Sequence, residues 1–494
     1  MKSKAYIIGS GIAGIAASIR LRQAGFDVQV FEASEMAGGK ISEFEKDGFR
    51  FDAGPSLFTM PEWVDELFVL CGKNPRDYYS CSKLPVICRY FFANGKQLDA
   101  FDSPEAFAGE VQRKTGEPAN HVIDYLGRSR ELYELTEKVF LQSSLHRWRT
   151  YFSTDAWKAF FHLYKLDSSR SLHNRNESSF NTDETVQLFD RYATYNGSNP
   201  FHAPATLKVI PHLEFQRGAF FPDEGIYAIV KALVKLAEDT GVAFHYRTPV
   251  KKLMVTKNRI TALEFSGGKT EVQPGDIVIS NMDVMNTYRK LLPGEPAPEK
   301  ILQQPRSTSA LVFYWGMKKT FPQLHLHNIF FSADYKTEFD FLTRKKDVFD
   351  DPTVYVNISS KMKPGDAPAG CENWFTMINA PHLAGQDWDR IVARSRKNII
   401  AKLSHMMGEH LEPLILSETI LDPRGIEAGT SSYLGALYGS SSNNRYAAFL
   451  RHKNFSSRFS NLYFCGGSVH PGGGIPLCLM SAKIVSDIVK DRMK

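Results

Sequence analysis

Ala5-Tyr6-Ile7-Ile8-Gly9-Ser10-Gly11-Ile12-Ala13-Gly14 is the stretch that decides the fold. Its apolar half reads as a short buried strand running straight into Gly-x-Gly-x-x-Gly. Beyond the glycines, Ile12, Ile15, Ala16 and Ile19 recur at helical spacing, and Gly25 closes the helix. Asp27 to Phe31 then reads as a second strand, ending in Glu32 and Ala33. Strand, glycine turn, helix, strand and a trailing acid make a βαβ unit built for a dinucleotide. Gly9 permits the tight turn, Gly11 lets the backbone approach a pyrophosphate, and Gly14 lets the helix sit close to the strand. Ser10, Ile12 and Ala13 fill the turn, where the helix amino terminus turns N–H groups and a positive dipole end towards phosphate. Glu32 would accept hydrogen bonds from ribose hydroxyls, and its charge disfavours a 2′-phosphate.

A second glycine turn, Gly38-Gly39-Lys40, begins six residues past Glu32, and then comes Gly48-Phe49-Arg50-Phe51-Asp52-Ala53-Gly54-Pro55-Ser56. This extension resembles the flavoprotein version of the motif and selects FAD over NAD. The added loop brings backbone donors and the basic Lys40 towards the pyrophosphate and ribityl chain. At the far end of the chain, Leu462 to Cys465 reads as a strand meeting Gly466-Gly467. The loop His470-Pro471-Gly472-Gly473-Gly474-Ile475-Pro476 comes next, with a helix beginning near Pro476. A second helix amino terminus there would face the flavin end of the cofactor.

With both segments in view, the chain resembles the bacterial carotenoid desaturases of the phytoene-desaturase type, which carry a His-Pro-Gly-x-Gly-Ile-Pro stretch near the carboxyl end. The resemblance covers nearly the whole chain in the same order. It departs from the commonest pattern at Leu477 and Met480, where that pattern has glycines. Together with Phe189 to Tyr195 and Ala203 to Leu207, this looks more like the branch that introduces the 3,4 double bond into hydroxylated or methoxylated carotenoids.

The middle of the chain reads as α/β. Gly218 to Ala228 is a strand, turn and helix start, and strands follow at Val242 to Tyr246, Leu253 to Phe265 and Asp276 to Asn281. The resemblance implies that the backbone at Val250 touches adenine; an ordinary core strand residue is the alternative. The expected fold is a discontinuous Rossmann-type FAD-binding domain (1–99, 218–295 and 441–494), a helical insert (100–217) and a sheet-based substrate domain (296–440). In the insert, Trp148, Tyr151, Phe152, Trp157, Phe160, Phe161 and Tyr164 interleave with Arg147, Arg149, Lys158 and Lys165. That mixture suits a helix lying in a membrane interface, or equally an internal core or substrate tunnel.

Composition narrows the classes. Hydrophobic residues at 43% and charged residues at 23% make a globular chain, and a net charge of +6 over 494 residues is too diffuse for nucleic acid. Six cysteines show neither CxxC pairs nor metal-ligand spacing, so no metal is expected. No signal peptide and no run of 18 apolar residues are found. The expected location is the cytoplasmic face of a membrane, held peripherally, because a carotenoid at roughly 0.8 kcal/mol per buried CH₂ resides in the bilayer.

Desaturation removes a hydride and a proton from neighbouring carbons, and the polyene delocalises the developing charge. Absence of a nucleophile–base motif fits such a reaction. Asp167 and Arg170, at helical i, i+3 spacing, match an acid–base pair that the resemblance places towards the substrate passage; a surface ion pair is the plain alternative. His470, in the flavin loop, is the other proton-handling candidate. Oxygen or a membrane quinone would reoxidise the flavin. Other readings are a phytoene or other carotenoid desaturase, a polyene isomerase, a flavin amine oxidase, and an isoprenoid-binding chaperone on the same scaffold.

Overall fold

The computed structural model describes residues 2–147, 150, 152, 167, 169–444 and 451–493. The opening strand Lys4–Ile8 lies at the centre of a five-stranded sheet. Its order is Ala243–His245, Asp27–Phe31, Lys4–Ile8, Ile277–Ser280 and Leu462–Phe464, and every pairing is parallel. A parallel sheet needs crossovers and cover on both faces. Period-two alternation supplies it. Ala5, Ile7 and Ile279 pack against the helices Ile12–Gln23, Tyr227–Asp239 and Ile475–Met493. Tyr6, Ile8 and Val278 turn to the other side, onto a three-stranded antiparallel sheet running from Lys252 to Glu271. The sheet is thus assembled from stretches of chain hundreds of positions apart.

A seven-stranded sheet forms the second layer. Its order is Ile415–Leu421, Ser309–Met317, Glu372–Ala380, Val354–Asn357, His327–Phe330, Val86–Phe91 and Gln97–Phe101. One face, with Phe313, Trp315, Trp374 and Val356, is sealed by the helix Trp388–Met407. The opposite face carries Tyr314, Phe375 and Tyr355 and is approached by the hairpin Ser42–Lys46 and Phe49–Ala53. Of the last two strands, Val86–Phe91 comes from the stretch expected to belong wholly to the cofactor unit, and Gln97–Phe101 straddles its expected end at residue 99. Val86–Phe91 instead pairs in parallel with His327–Phe330, so the sheet boundary falls well before residue 99. An apolar alternation reports that a strand has a buried face, but not which sheet it joins.

Arg50 sits where the two layers meet. Its guanidinium reaches Asp52 at 2.9 Å and Asp366 at 3.1 Å, and it also binds Glu43. Asp52 in turn accepts the backbone N–H groups of Ile226 and Tyr227, at the start of the Tyr227–Asp239 helix. The Phe49-to-Asp52 stretch therefore stitches the layers together and positions the Gly54-Pro55-Ser56 loop.

In the insert, the helices Pro104–Thr115, Ala119–Thr136 and Asp183–Asp190 pack through Phe107, Tyr125, Leu126 and Phe189 onto Tyr90, Phe92 and Phe331. Of the aromatic–basic run, Trp148, Arg149, Tyr151, Trp157, Lys158, Phe160, Phe161, Tyr164 and Lys165 lie outside the described residues. Arg147 pairs with Asp491 at 2.7 Å, and Phe152 is exposed. Among the described residues no helix is long and apolar enough to cross a membrane.

Candidate cofactor-binding site

The carboxyl ends of the parallel strands lie side by side at one edge of the sheet, the usual ligand position of such sheets. Gly9, at φ +93°, donates its N–H to Phe31 at 2.8 Å and turns the chain into the Ile12–Gln23 helix. A side chain at Gly14 would collide with the Gly9 carbonyl, which is why the helix can start so close to the strand. Across the crevice, the Gly38 N–H bonds the Ser10 carbonyl at 2.9 Å, and Gly39 lies against Gly11. The double-glycine loop is therefore part of the same wall as the first turn. A side chain at Gly54, φ +143°, would run into the Lys40 carbonyl, so Gly54-Pro55-Ser56 is pressed onto the end of that loop.

Glu32 is buried at the tip of the second strand. One carboxylate oxygen accepts the Ser10 N–H at 2.8 Å and the Ser10 hydroxyl at 2.7 Å; the other accepts the Ser34 N–H at 2.8 Å. The acid thus orders the glycine turn itself. Ala33 beside it is exposed. Val250 is partly buried in the core just beyond Thr248, whose N–H bonds the Glu32 carbonyl at 2.8 Å.

The carboxyl-terminal segment enters from the far edge of the sheet. Gly466 donates to Ser481 Oγ at 3.1 Å, and Gly467 packs on Gly473. Gly474 stands in open space immediately before Ile475 and Pro476, the first turn of the Ile475–Met493 helix. Two helix amino termini therefore face one crevice.

Asn281 joins these parts, a role sequence reading did not give it. Its side chain lies against Gly11 and Gly14 on one side and Gly466 on the other, and it donates to the Cys465 carbonyl at 3.2 Å. Its place at the carboxyl end of a central parallel strand was the available signal. Lys40, Arg306 and Arg451 were likewise beyond reach as a group. Lys40 Nζ bonds the Leu437 carbonyl, and Arg451 bonds the carbonyls of Tyr438 at 2.7 Å and Gly467 at 3.2 Å. Burial lowers the proton affinity of all three, Arg451 to about 10, partly offset at Lys40 and Arg306 by Asp283. Cations held this dry call for an anion. The donor set fits the pyrophosphate and flavin of FAD, which two helix amino termini and buried positive charge would hold.

The proton-handling candidates are placed otherwise. His470 is 2% exposed and gives its Nε2 proton to the Ser143 carbonyl at 2.9 Å; burial pushes it down to about 4. It clamps the carboxyl-terminal loop onto the insert. Asp167 and Arg170 do not share a helix face. Asp167 has φ +49° and lies 3.6 Å from Arg175 and 4.0 Å from Lys208, while Arg170 is exposed. The helix begins only at Leu172, because Ser171 caps it by accepting the Asn174 N–H. Among the described residues no cluster of His, Cys, Asp and Glu could hold a metal ion.

Comparison with known proteins agrees with this geometry. The family described as flavin containing amine oxidoreductase matches residues 12–490. A 1-hydroxycarotenoid 3,4-desaturase from a Flavobacterium species is 48% identical, covering 98% of this chain and 99% of its own length. A 4,4'-diapolycopene oxygenase from a Methylomonas species is 32% identical, covering 98% of each chain. Among solved structures, wild-type putrescine oxidase bound to putrescine aligns with a TM-score of 0.59 at 14% identity, covering 100% of this chain and 99% of that one. Cyclohexylamine oxidase from Brevibacterium oxydans aligns with 0.60 at 14%, covering 100% of both. At such identities these two report the fold. The chain belongs to the flavin-containing amine oxidoreductase family, among its carotenoid desaturases, and is an FAD-dependent oxidoreductase.

Proposed function

We propose that this protein is a carotenoid desaturase that introduces the 3,4 double bond into a 1-hydroxycarotenoid. The observation that carries the reading is the 48% identity, end to end, to an enzyme of that name. The crevice supports it. FAD, when bound, accepts the hydride. The chain's own residues bind and orient: Gly9 to Gly14 with Glu32 and Ala33 at the nucleotide, Val250 at the adenine. Gly38, Gly39, Lys40, Gly54, Pro55 and Ser56 would follow the ribityl chain, with Gly466, Gly467, Gly474, Ile475 and Pro476 at the flavin. Next to Ser56, which bonds Tyr355, lies an aromatic and apolar cluster with Phe375, Tyr314 and the half-buried Met377, Tyr355 and Leu437. Such a cluster excludes water and fits a hydrocarbon chain.

The substrate's residence in lipid motivates a peripheral position on the cytoplasmic face of a membrane, reached through the insert. Oxygen or a membrane quinone would take the electrons. The test is expression in bacteria accumulating either hydroxylated or unhydroxylated carotenoids, with pigment spectra recorded. A red shift confined to the hydroxylated background is expected; a shift with phytoene instead sinks the assignment.

A further inference from the structure

A cavity of about 110 Å³ opens beside the start of the Ser309–Met317 strand. Residues 305–308, Gly197, Lys346, His382 and Asn443 are among those that line it. Main-chain bonds fix this surround. Thr308 donates its N–H to the Gly197 carbonyl at 3.1 Å, Ser441 donates to the Pro305 carbonyl at 2.8 Å, and Arg306 faces Ser440 in an antiparallel bridge. One water needs about 10–15 Å³ of such space, so the cavity admits a small polyatomic ion. Among the described residues, none of the glycine turns of the cofactor site lines it.

Charge in this cavity is one-sided. Lys346 Nζ lies 3.3 Å from His382 Nε2, and His382 Nδ1 lies 3.0 Å from the Leu383 carbonyl. A carbonyl only accepts, so Nδ1 carries the ring proton and Nε2 presents its lone pair to the ammonium. Burial lowers the proton affinity of both groups. The charges of Lys346 and Arg306 lower that of His382 further, against the Leu383 carbonyl, which raises it. The imidazole is therefore neutral. Arg306 adds charge rather than contact, since its guanidinium bonds the Leu302 carbonyl and lies 5.3 Å from the Tyr433 ring centre. No carboxylate of the described residues lines the cavity. Asp347, next to Lys346 in the chain, is bonded to Arg394 at 2.6 Å.

A half-buried ammonium in a cavity without a carboxylate calls for an anion. Once Lys346 turns to that anion, His382 Nε2 loses its donor and faces an oxygen with its own lone pair. The anion must therefore carry a hydrogen as well. Asn443 supplies a further donor, because its Oδ1 already accepts the Asn199 N–H at 2.7 Å and Nδ2 is the end left to offer. A phosphoryl group protonated on one oxygen meets these demands together. Sulfate, which holds no proton near neutral pH, leaves Nε2 unpaired. We propose that this cavity binds a protonated phosphoryl oxyanion, which accepts from Lys346 and Asn443 and donates to His382 Nε2.

The experiment uses the FAD-loaded holoenzyme, so that the cofactor already fills its own pyrophosphate site. Calorimetric titration with inorganic phosphate should show one saturable site. Sulfate should bind about tenfold more weakly, because it leaves the imidazole nitrogen unpaired. Lys346→Asn, whose side chain suits the left-handed backbone at φ +55°, should weaken phosphate binding about tenfold with flavin absorbance unchanged. His382→Leu should erase the preference for phosphate over sulfate; if that variant does not fold, the two anions on the parent protein and on Lys346→Asn decide. A second arm offers phosphatidylcholine vesicles with and without phosphatidic acid. Lys346-dependent cosedimentation with phosphatidic acid, without binding of free phosphate, supports the site and makes a lipid headgroup its source. Binding of free phosphate that leaves the vesicles unbound makes the source a soluble ion, and binding of both supports the shared phosphoryl chemistry. Binding of neither overturns the proposal. So do equal affinities for phosphate and sulfate in the parent protein, undiminished binding by Lys346→Asn, or a preference that survives His382→Leu.

Discussion

From Gly9 to Gly39 the glycine wall at the amino-terminal side is made within one short stretch, whereas the carboxyl-terminal side is made from pieces that meet only in three dimensions. At the first, Glu32 closes on Ser10 across 22 positions. At the second, Lys40 reaches a carbonyl 397 positions away, and Ser56 reaches Tyr355 across 299. The nucleotide end also uses small residues and main chain, which need no rotamer to be held. The carboxyl-terminal side has the buried Arg306 and Arg451 and the half-buried Tyr438, each fixed by its surroundings. A generic ligand part can be bound by a local motif, while the end where selectivity resides depends on the packing of both sheets.

The largest effect expected is on the local end. Gly14→Val puts a branched side chain into the Gly9 carbonyl, where neither backbone can yield. Purified protein should carry essentially no flavin absorbance while keeping its far-UV circular dichroism. Retained FAD would show that the nucleotide end is not the anchor. Next comes the seam. Arg50→Ala leaves the buried Asp52 without its cation and the fully buried Asp366 with only Lys363, 3.8 Å away, at a cost of about 3–5 kcal/mol. Urea unfolding of the holoenzyme measures it, and a loss below about 1 kcal/mol, the range of an exposed pair, would mean the two layers hold without this tie.

The smallest effect concerns acid. His452 and His470 are buried in the carboxyl-terminal segment, and burial takes both from 6.5 down to about 4. Their folded proton affinity is below that of the unfolded chain. Their stabilising contribution is therefore complete above pH 6.5 and is lost as pH falls from there towards 4. His146, which meets His470 edge-on at 5.9 Å, moves the same way. The thermal midpoint and flavin release, followed together through this window, should fall together, with the flavin end loosening first. His470→Gln should flatten the profile. A profile that is flat in the parent protein separates the histidines from the stability of the loop.

Legibility in the sequence depends on the length scale of each signal. The βαβ unit, the double-glycine loop and the carboxyl-terminal helix start could be read because glycine spacing and hydrophobic period report local backbone and burial directly. Strand positions in the second layer were also readable, such as Ser309–Met317 and Glu372–Ala380, since alternation marks a half-covered sheet. The pairing of Asp167 with Arg170 failed because a cap at Ser171 overrode helical spacing. His470 could be placed in the loop, but not turned: its side chain points at Ser143, 327 positions away.

The sequence alone determined the βαβ unit with its glycine turn, the double-glycine loop that follows it, and the helix start near the carboxyl end. Those are backbone requirements, and backbone requirements leave glycines at fixed spacing. Tertiary structure alone decided that Val86–Phe91 joins the other sheet, that Asn281 links two glycine turns, and that Ser56 meets Tyr355. Such contacts arise when strands far apart in the chain choose neighbours and register. Their side chains carry no local period that would announce it.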